Sequence, residues 1–96
     1  MDEPVEIPIE DHLDLHAFQP KEVLSVVAEY LEQARLRGFP EVRLIHGRGQ
    51  GIQRRLVQGL LARHPDVATF RDAPPERGGL GATVVFLKKT DIESPR

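Results

Sequence analysis

Hydrophobic positions along the chain repeat in two ways, and the alternation between them sets the order of elements. Val23, Val26, Val27, Tyr30, Leu31 and Ala34 recur at three- and four-residue steps, the stripe of an amphipathic helix. Pro20 suits the first turn of that helix, Arg35 and Arg37 its negative C-terminal end, and Gly38 its cap. Ile52, Leu56, Leu60 and Leu61 predict a second helix, ended by His64-Pro65. Gly59 is a defect inside it, worth about 1 kcal/mol relative to Ala, for which close backbone packing is the expected reason. Short β patterns occupy 12–15, Glu41–Ile45 and 67–71, and the nearly unbroken apolar run Ala82–Leu87 predicts the central strand.

Residues 1–10 read as an extended arm, because Pro4 and Pro8 forbid helix while Val5, Ile7 and Ile9 alternate. Residues 73–81 form a loop rich in Gly and Pro, and 90–96 read as a flexible tail. The order is therefore βαβαββ, an α/β class in which strand–helix–strand units favour parallel, right-handed crossovers. With 96 residues and no internal repeat, the expectation is one domain over 11–89.

Composition narrows the setting. Cysteine is absent, which excludes disulfides and thiolate chemistry and fits a reducing, cytoplasmic location. No apolar run approaches the roughly 20 residues of a bilayer span, and the acidic N-terminus lacks the layout of a signal peptide. Net charge is −2, but the charges are sorted. Residues 1–14 carry Asp2, Glu3, Glu6, Glu10, Asp11 and Asp14 without a Lys or Arg. Residues 42–65 carry Arg43, Arg48, Arg54, Arg55 and Arg63 without an acid. A basic segment in an acidic chain localises an anionic partner without making the whole surface adhesive.

Two motifs carry candidate chemistry. The first is His46-Gly47-Arg48-Gly49-Gln50-Gly51, placed where the second strand opens into the second helix. Unpaired N–H groups and the dipole at a helix start favour an anion, and glycines let a phosphate approach them. Arg48 is placed to clamp that phosphate, with Arg54 and Arg55 one turn further on. The loop is neither a Walker A sequence nor a dinucleotide fingerprint. The second motif is Leu13-Asp14-Leu15-His16. Strand alternation would put His12, Asp14 and, with one more residue of strand, His16 on one face. The carboxylate then orients the imidazole; a plain wet strand face and a His–Asp–His metal triad are the other readings of the same pattern. His16 and His46 both fall at carboxyl ends of strands, the edge where open α/β sheets bind ligands. Two imidazoles there would serve as acid and base in phosphodiester cleavage.

LDLH at 13–16, HGRG at 46–49 and GGLGATVV at 78–85 together resemble, in order and spacing, the signatures of the Smr (small MutS-related) domain, here in a short stand-alone form. The likeness covers roughly residues 11–89. It implies an α+β two-layer sandwich, a four-stranded mixed sheet with both helices on one face, like the C-terminal domain of a bacterial translation initiation factor. It also implies nucleic-acid binding, with endonuclease activity on DNA or RNA known for several members. By position, Asp14 and His16 correspond to the DLH pair, and His46, Gly47 and Gly49 to the HGxG turn. The chain departs from the pattern with Ala17-Phe18 where many members have glycine, and with Leu80 where an aromatic is expected. Mismatch recognition, which belongs to other regions of the long relatives, does not carry over.

The function expected from these residues is an endonuclease acting on RNA or DNA without strong sequence preference. His16, His46 and Asp14 form its catalytic set, and Gly47, Arg48, Gly49, Gln50, Gly51, Arg54 and Arg55 bind the backbone. No cofactor is expected for RNA, whereas a divalent metal enters if DNA is cut. Partners are nucleic acid, with a ribosome or DNA-repair complex as the targeting assembly, and no membrane. The rival expectation is a non-catalytic nucleic-acid or ribosome-binding module. Its few aromatics, Phe18, Tyr30, Phe39, Phe70 and Phe86, argue against base stacking on a single strand.

Overall fold

The first helix forms where its stripe predicts. In the computed structural model, which describes residues 9–89, α1 spans Pro20–Leu36 and buries Val23, Val27, Tyr30, Leu31 and Ala34. Glu22 reaches back to accept from the Gln19 N–H at 3.2 Å, satisfying one of the donors a helix start leaves open.

Four strands follow the predicted positions: β1 (His12–Asp14), β2 (Glu41–Ile45), β3 (Val67–Asp72) and β4 (Ala82–Leu87). Their order in the sheet is β1-β2-β4-β3. β1 and β2 are parallel neighbours, while β4 runs antiparallel to both β2 and β3. The run Ala82–Leu87 is therefore central, as its apolar character predicts, and all but one of its residues are buried. This topology brings the carboxyl ends of β1, β2 and β3 and the start of β4 to one edge. There Asp14 pairs in register with Ile45, and Ile45 with Ala82.

α1 and α2 (Ile52–Arg63) cover one face of the sheet, where Leu44, Val42, Val85 and Leu87 meet Val27, Leu31, Val57 and Leu61. Each such aliphatic side chain contributes on the order of 1.5–3 kcal/mol by leaving water. The other face is uncovered by helix; there Ala73, Ala82 and Val84 make a small apolar cluster with Ile45 and Phe86. Arg71 lies over the Phe86 ring at 5.0 Å.

Three details differ from the sequence expectation. α2 turns its Val57–Leu61 side to the sheet, so Ile52 and Leu56 are exposed rather than core, and Leu60 is only partly buried. A side chain at Gly59 would meet nothing within 4 Å, so close packing does not explain that glycine. β1 stops at Asp14, and Leu15–Ala17 forms a 3-10 turn instead of extending the strand. The arm and tail of the expectation fall largely outside the described residues, with only Ile9 and Glu10 of the arm inside them. Among the described residues, no helix is long and apolar enough to cross a membrane.

Candidate functional site

Asp14 ends β1 and caps the 3-10 turn that follows. Its Oδ1 accepts both the backbone N–H of His16 at 2.9 Å and the ring Nδ1–H of His16 at 2.7 Å. The backbone hydrogen bond, followed by the ring contact, holds the Asp14 carboxyl below its ordinary value. With Nδ1 donating to the carboxylate, the neutral form of the ring has its lone pair on Nε2. Both side chains remain well exposed, at 63% and 59%. The pairing arises from the turn, not from strand alternation, which is why His12 does not join it. His12 instead contacts Glu10 and Asp11. Among the described residues, no three His, Asp, Glu or Cys side chains converge as a metal site.

The free nitrogen of His16 lies against the glycine-rich turn. At Gly47, φ is +80°, and a Cβ there would stand 2.7 Å from His16 Nε2. Only glycine meets both conditions, the left-handed backbone and the close approach of the ring. The Gly47 and His46 N–H groups both bond to the Gly81 carbonyl, at 2.8 and 3.0 Å, which ties the turn to the 78–81 loop. Among the described residues, the N–H groups of Arg48, Gly49 and Gln50 meet no acceptor, and Gly51 leads into α2. Unsatisfied donors beside a helix start suit an anion electrostatically.

His46 occupies a different environment from His16. It is 5% exposed, and both ring nitrogens are engaged. Nδ1 donates to the Gly47 carbonyl at 3.0 Å, leaving Nε2 to accept from the Thr83 hydroxyl at 2.8 Å. Thr83 Oγ1 in turn accepts from Gln58 Nε2 at 3.0 Å, and the same amide donates to Asp72 at 3.1 Å. Asp72 is held by Arg54 through two bonds of 2.9 Å. Every donor in this chain meets one acceptor only if His46 is neutral, and burial pushes its pKa below the usual imidazole value. The Arg54 hydrogen bonds lower the Asp72 carboxyl in the same way.

The edge thus gathers Asp14, His16, His46, Gly47, Arg48, Gly49 and Gln50, as the sequence predicts. It separates their chemistry. His16 presents a free nitrogen, while His46 spends both of its nitrogens inside the protein. Arg54 is bound to Asp72, whereas Arg55 is exposed on α2 and Arg48 is exposed at the turn. Thr83, Gln58 and Asp72 were not singled out from the sequence. The one signal was a hydroxyl in the otherwise apolar run 82–87, at a position that proves fully buried.

Fold and edge together define a class: a small two-layer α+β domain whose parallel-strand edge sets an Asp–His pair against a glycine-rich turn. The chain belongs to the Smr domain family, whose model matches residues 13–88. It is 41% identical over 80 residues to Endonuclease MutS2 of Staphylococcus saprophyticus, covering 83% of this chain and 10% of that protein. The chain therefore spans about a tenth of the length of the curated relatives it matches. Its fold superposes on the crystal structure of the Smr domain of Thermus thermophilus MutS2 with a TM-score of 0.78 at 40% identity, covering 82% of this chain and 99% of that one. YdaL, a stand-alone small MutS-related protein from Escherichia coli, gives a TM-score of 0.72 at 30% identity over 85% of this chain and 67% of that one.

Proposed function

We propose that this domain is a nuclease that binds a nucleic-acid backbone at the Asp14–His16–Gly47 edge and cleaves RNA there. The observation that carries the reading is the orientation of His16. Its Nδ1 faces Asp14 at 2.7 Å, and its Nε2 faces the cradle that would hold the phosphate. The relatives named as endonucleases support nucleic acid as the substrate class.

The chemistry runs through this chain's own groups. His16 Nε2 takes the proton of a ribose 2′-OH, and that oxygen attacks the adjacent phosphorus. The bond to the 5′-oxygen breaks, that oxygen takes a proton from water, and a 2′,3′-cyclic phosphate remains. Asp14 fixes the tautomer and stabilises the imidazolium as it forms. The N–H groups of Arg48, Gly49 and Gln50, with the Arg48 guanidinium, balance the charge that builds on the phosphate oxygens. His46 shapes the turn from beneath and stays neutral. On DNA, which lacks the 2′-OH, water would have to attack, and a divalent ion would supply the activation.

The test compares end-labelled RNA and DNA of one sequence, with EDTA or with Mg²⁺, using wild type and His16→Ala. Cleavage of RNA in EDTA, reduced by about 10²–10⁴-fold in the variant, is the expected result. Salt-dependent binding with no cleavage of either polymer would overturn the catalytic reading in favour of a binding module.

A further inference from the structure

Beside the glycine-rich turn, the uncovered face of the sheet ends in a cavity. It is an open cleft of about 400 Å³, within the roughly 300–1,000 Å³ typical of small-ligand sites. Arg43, Arg48 and Arg77 line it together with Glu76, and Ile45 and Ala82 give it an apolar floor. Gly47 belongs to this lining as well as to the contact with His16, so the cleft begins where the cradle ends.

We infer that this cleft is a subsite for one unpaired nucleotide next to the phosphate held by the cradle. The inference rests on the proposed nucleic-acid reading and adds the form of the substrate. Three arginines and one glutamate belong to the lining, an excess of positive charge. Arg77 also pairs with Glu41, but at 3.4 Å between side chains each about 40% exposed, a contact worth little in water. Arg43 Nη1 donates to the Arg77 carbonyl at 3.1 Å, which fixes the wall, while its Nε is buried and has no acceptor among the described residues. Arg48 folds across the 79–81 loop, its guanidinium 3.4 Å from where a Gly79 Cβ would be and its stem 3.5 Å from that of Gly81. The small residues there leave room for that side chain to stand between cradle and cleft.

The chemistry of the wall matches a nucleotide better than a bare anion. The arginines pair with the flanking phosphate, and the apolar floor formed by Ile45 and Ala82 takes the face of a base. Glu76 accepts from a ribose hydroxyl or a base amino group. In a duplex, both faces of each base are covered by its stacked neighbours, so only an unpaired nucleotide can lay one on that floor. The cleft contains no aromatic ring, so it holds the nucleotide by charge and shape without strong preference for one base.

The test uses the intact chain and amide NMR. The probe is a 5′-phosphorylated trinucleotide with every ribose 2′-O-methylated, which blocks transesterification, compared with a fully paired duplex of related sequence. The expected result is perturbation of Ile45, Gly78, Gly81 and Ala82 together with Gly49 and Gln50 by the trinucleotide, and of Gly49 and Gln50 alone by the duplex. Arg77→Ala should remove the cleft shifts, keep the cradle shifts, and lower the log–log salt slope of binding by about one. Shifts confined to residues 47–51 with both probes, or cleft shifts that survive in Arg77→Ala, would overturn the subsite while leaving the nuclease reading intact. Absence of shifts at both clusters with both probes would overturn both.

Discussion

His16 and Gly47 are in contact across the edge of the sheet: the imidazole Nε2 occupies space so close to the Gly47 backbone that a methyl group there would be 2.7 Å away. The glycine of the turn thus positions the nitrogen of the other motif. Gly47→Ala adds a clash and places a Cβ at φ +80°, a backbone strain of about 1–2 kcal/mol. Because His16 is exposed, its ring can swing away, and the damage falls on activity rather than on folding. Cleavage should fall about 100-fold, while the backbone strain lowers the melting temperature by roughly 4–8 °C per kcal/mol; kinetics and thermal melts on one sample check this.

The burial of His46 gives a pH signature. Its ordinary imidazole value is 6.5, and burial lowers it in the folded chain. Between those two values the unfolded chain binds more protons, so stability falls as pH drops from about 6.5 through the folded-state value. Asp72, held low by Arg54, adds a loss further into the acid range, when its carboxylate protonates. A ¹⁵N titration should find the His46 midpoint below 6.5, with the neutral ring protonated at Nδ1 and not at Nε2. A His46 imidazolium at neutral pH would contradict the hydrogen-bond chain through Thr83.

The arginines of the basic segment should separate in a salt titration of nucleic-acid binding. Arg48→Ala and Arg55→Ala should each flatten the log–log slope by about one, as expected for exposed groups that meet phosphate. Arg54→Ala should leave the slope unchanged, because that guanidinium is already committed to Asp72. Its effect should appear as a small loss of stability, modest because the pair is about one-third exposed.

Gly59 offers a gain. It lies in the interior of α2 with open space around the missing Cβ, so it brings helix-breaking entropy without a packing return. Gly59→Ala should stabilise the domain by about 1 kcal/mol, raising the melting temperature by roughly 4–8 °C, with cleavage unchanged. A drop in stability would mean that the glycine serves a contact absent from the folded monomer.

The amino-acid sequence by itself determined the elements and their order, because helix and strand periods are local properties of the chain. The stripe of α1, the central strand at Ala82–Leu87 and the glycine-rich start of α2 all needed only neighbouring residues to be read. It also marked which residues meet at the edge, since parallel crossovers bring the ends of β1 and β2 together. Tertiary structure decided what each of them does. Two histidines that look alike in sequence differ because His16 lies in an exposed turn, whereas His46 lies over Thr83 on the helix-covered side of the sheet. Arg54 and Arg55 are adjacent, yet one helical step, about 100°, turns the first onto Asp72 and the second to solvent. The same rotation left Ile52 and Leu56 outside the core. The links of the chain His46–Thr83–Gln58–Asp72–Arg54 join residues 14 to 37 positions apart, and no local pattern carries that information.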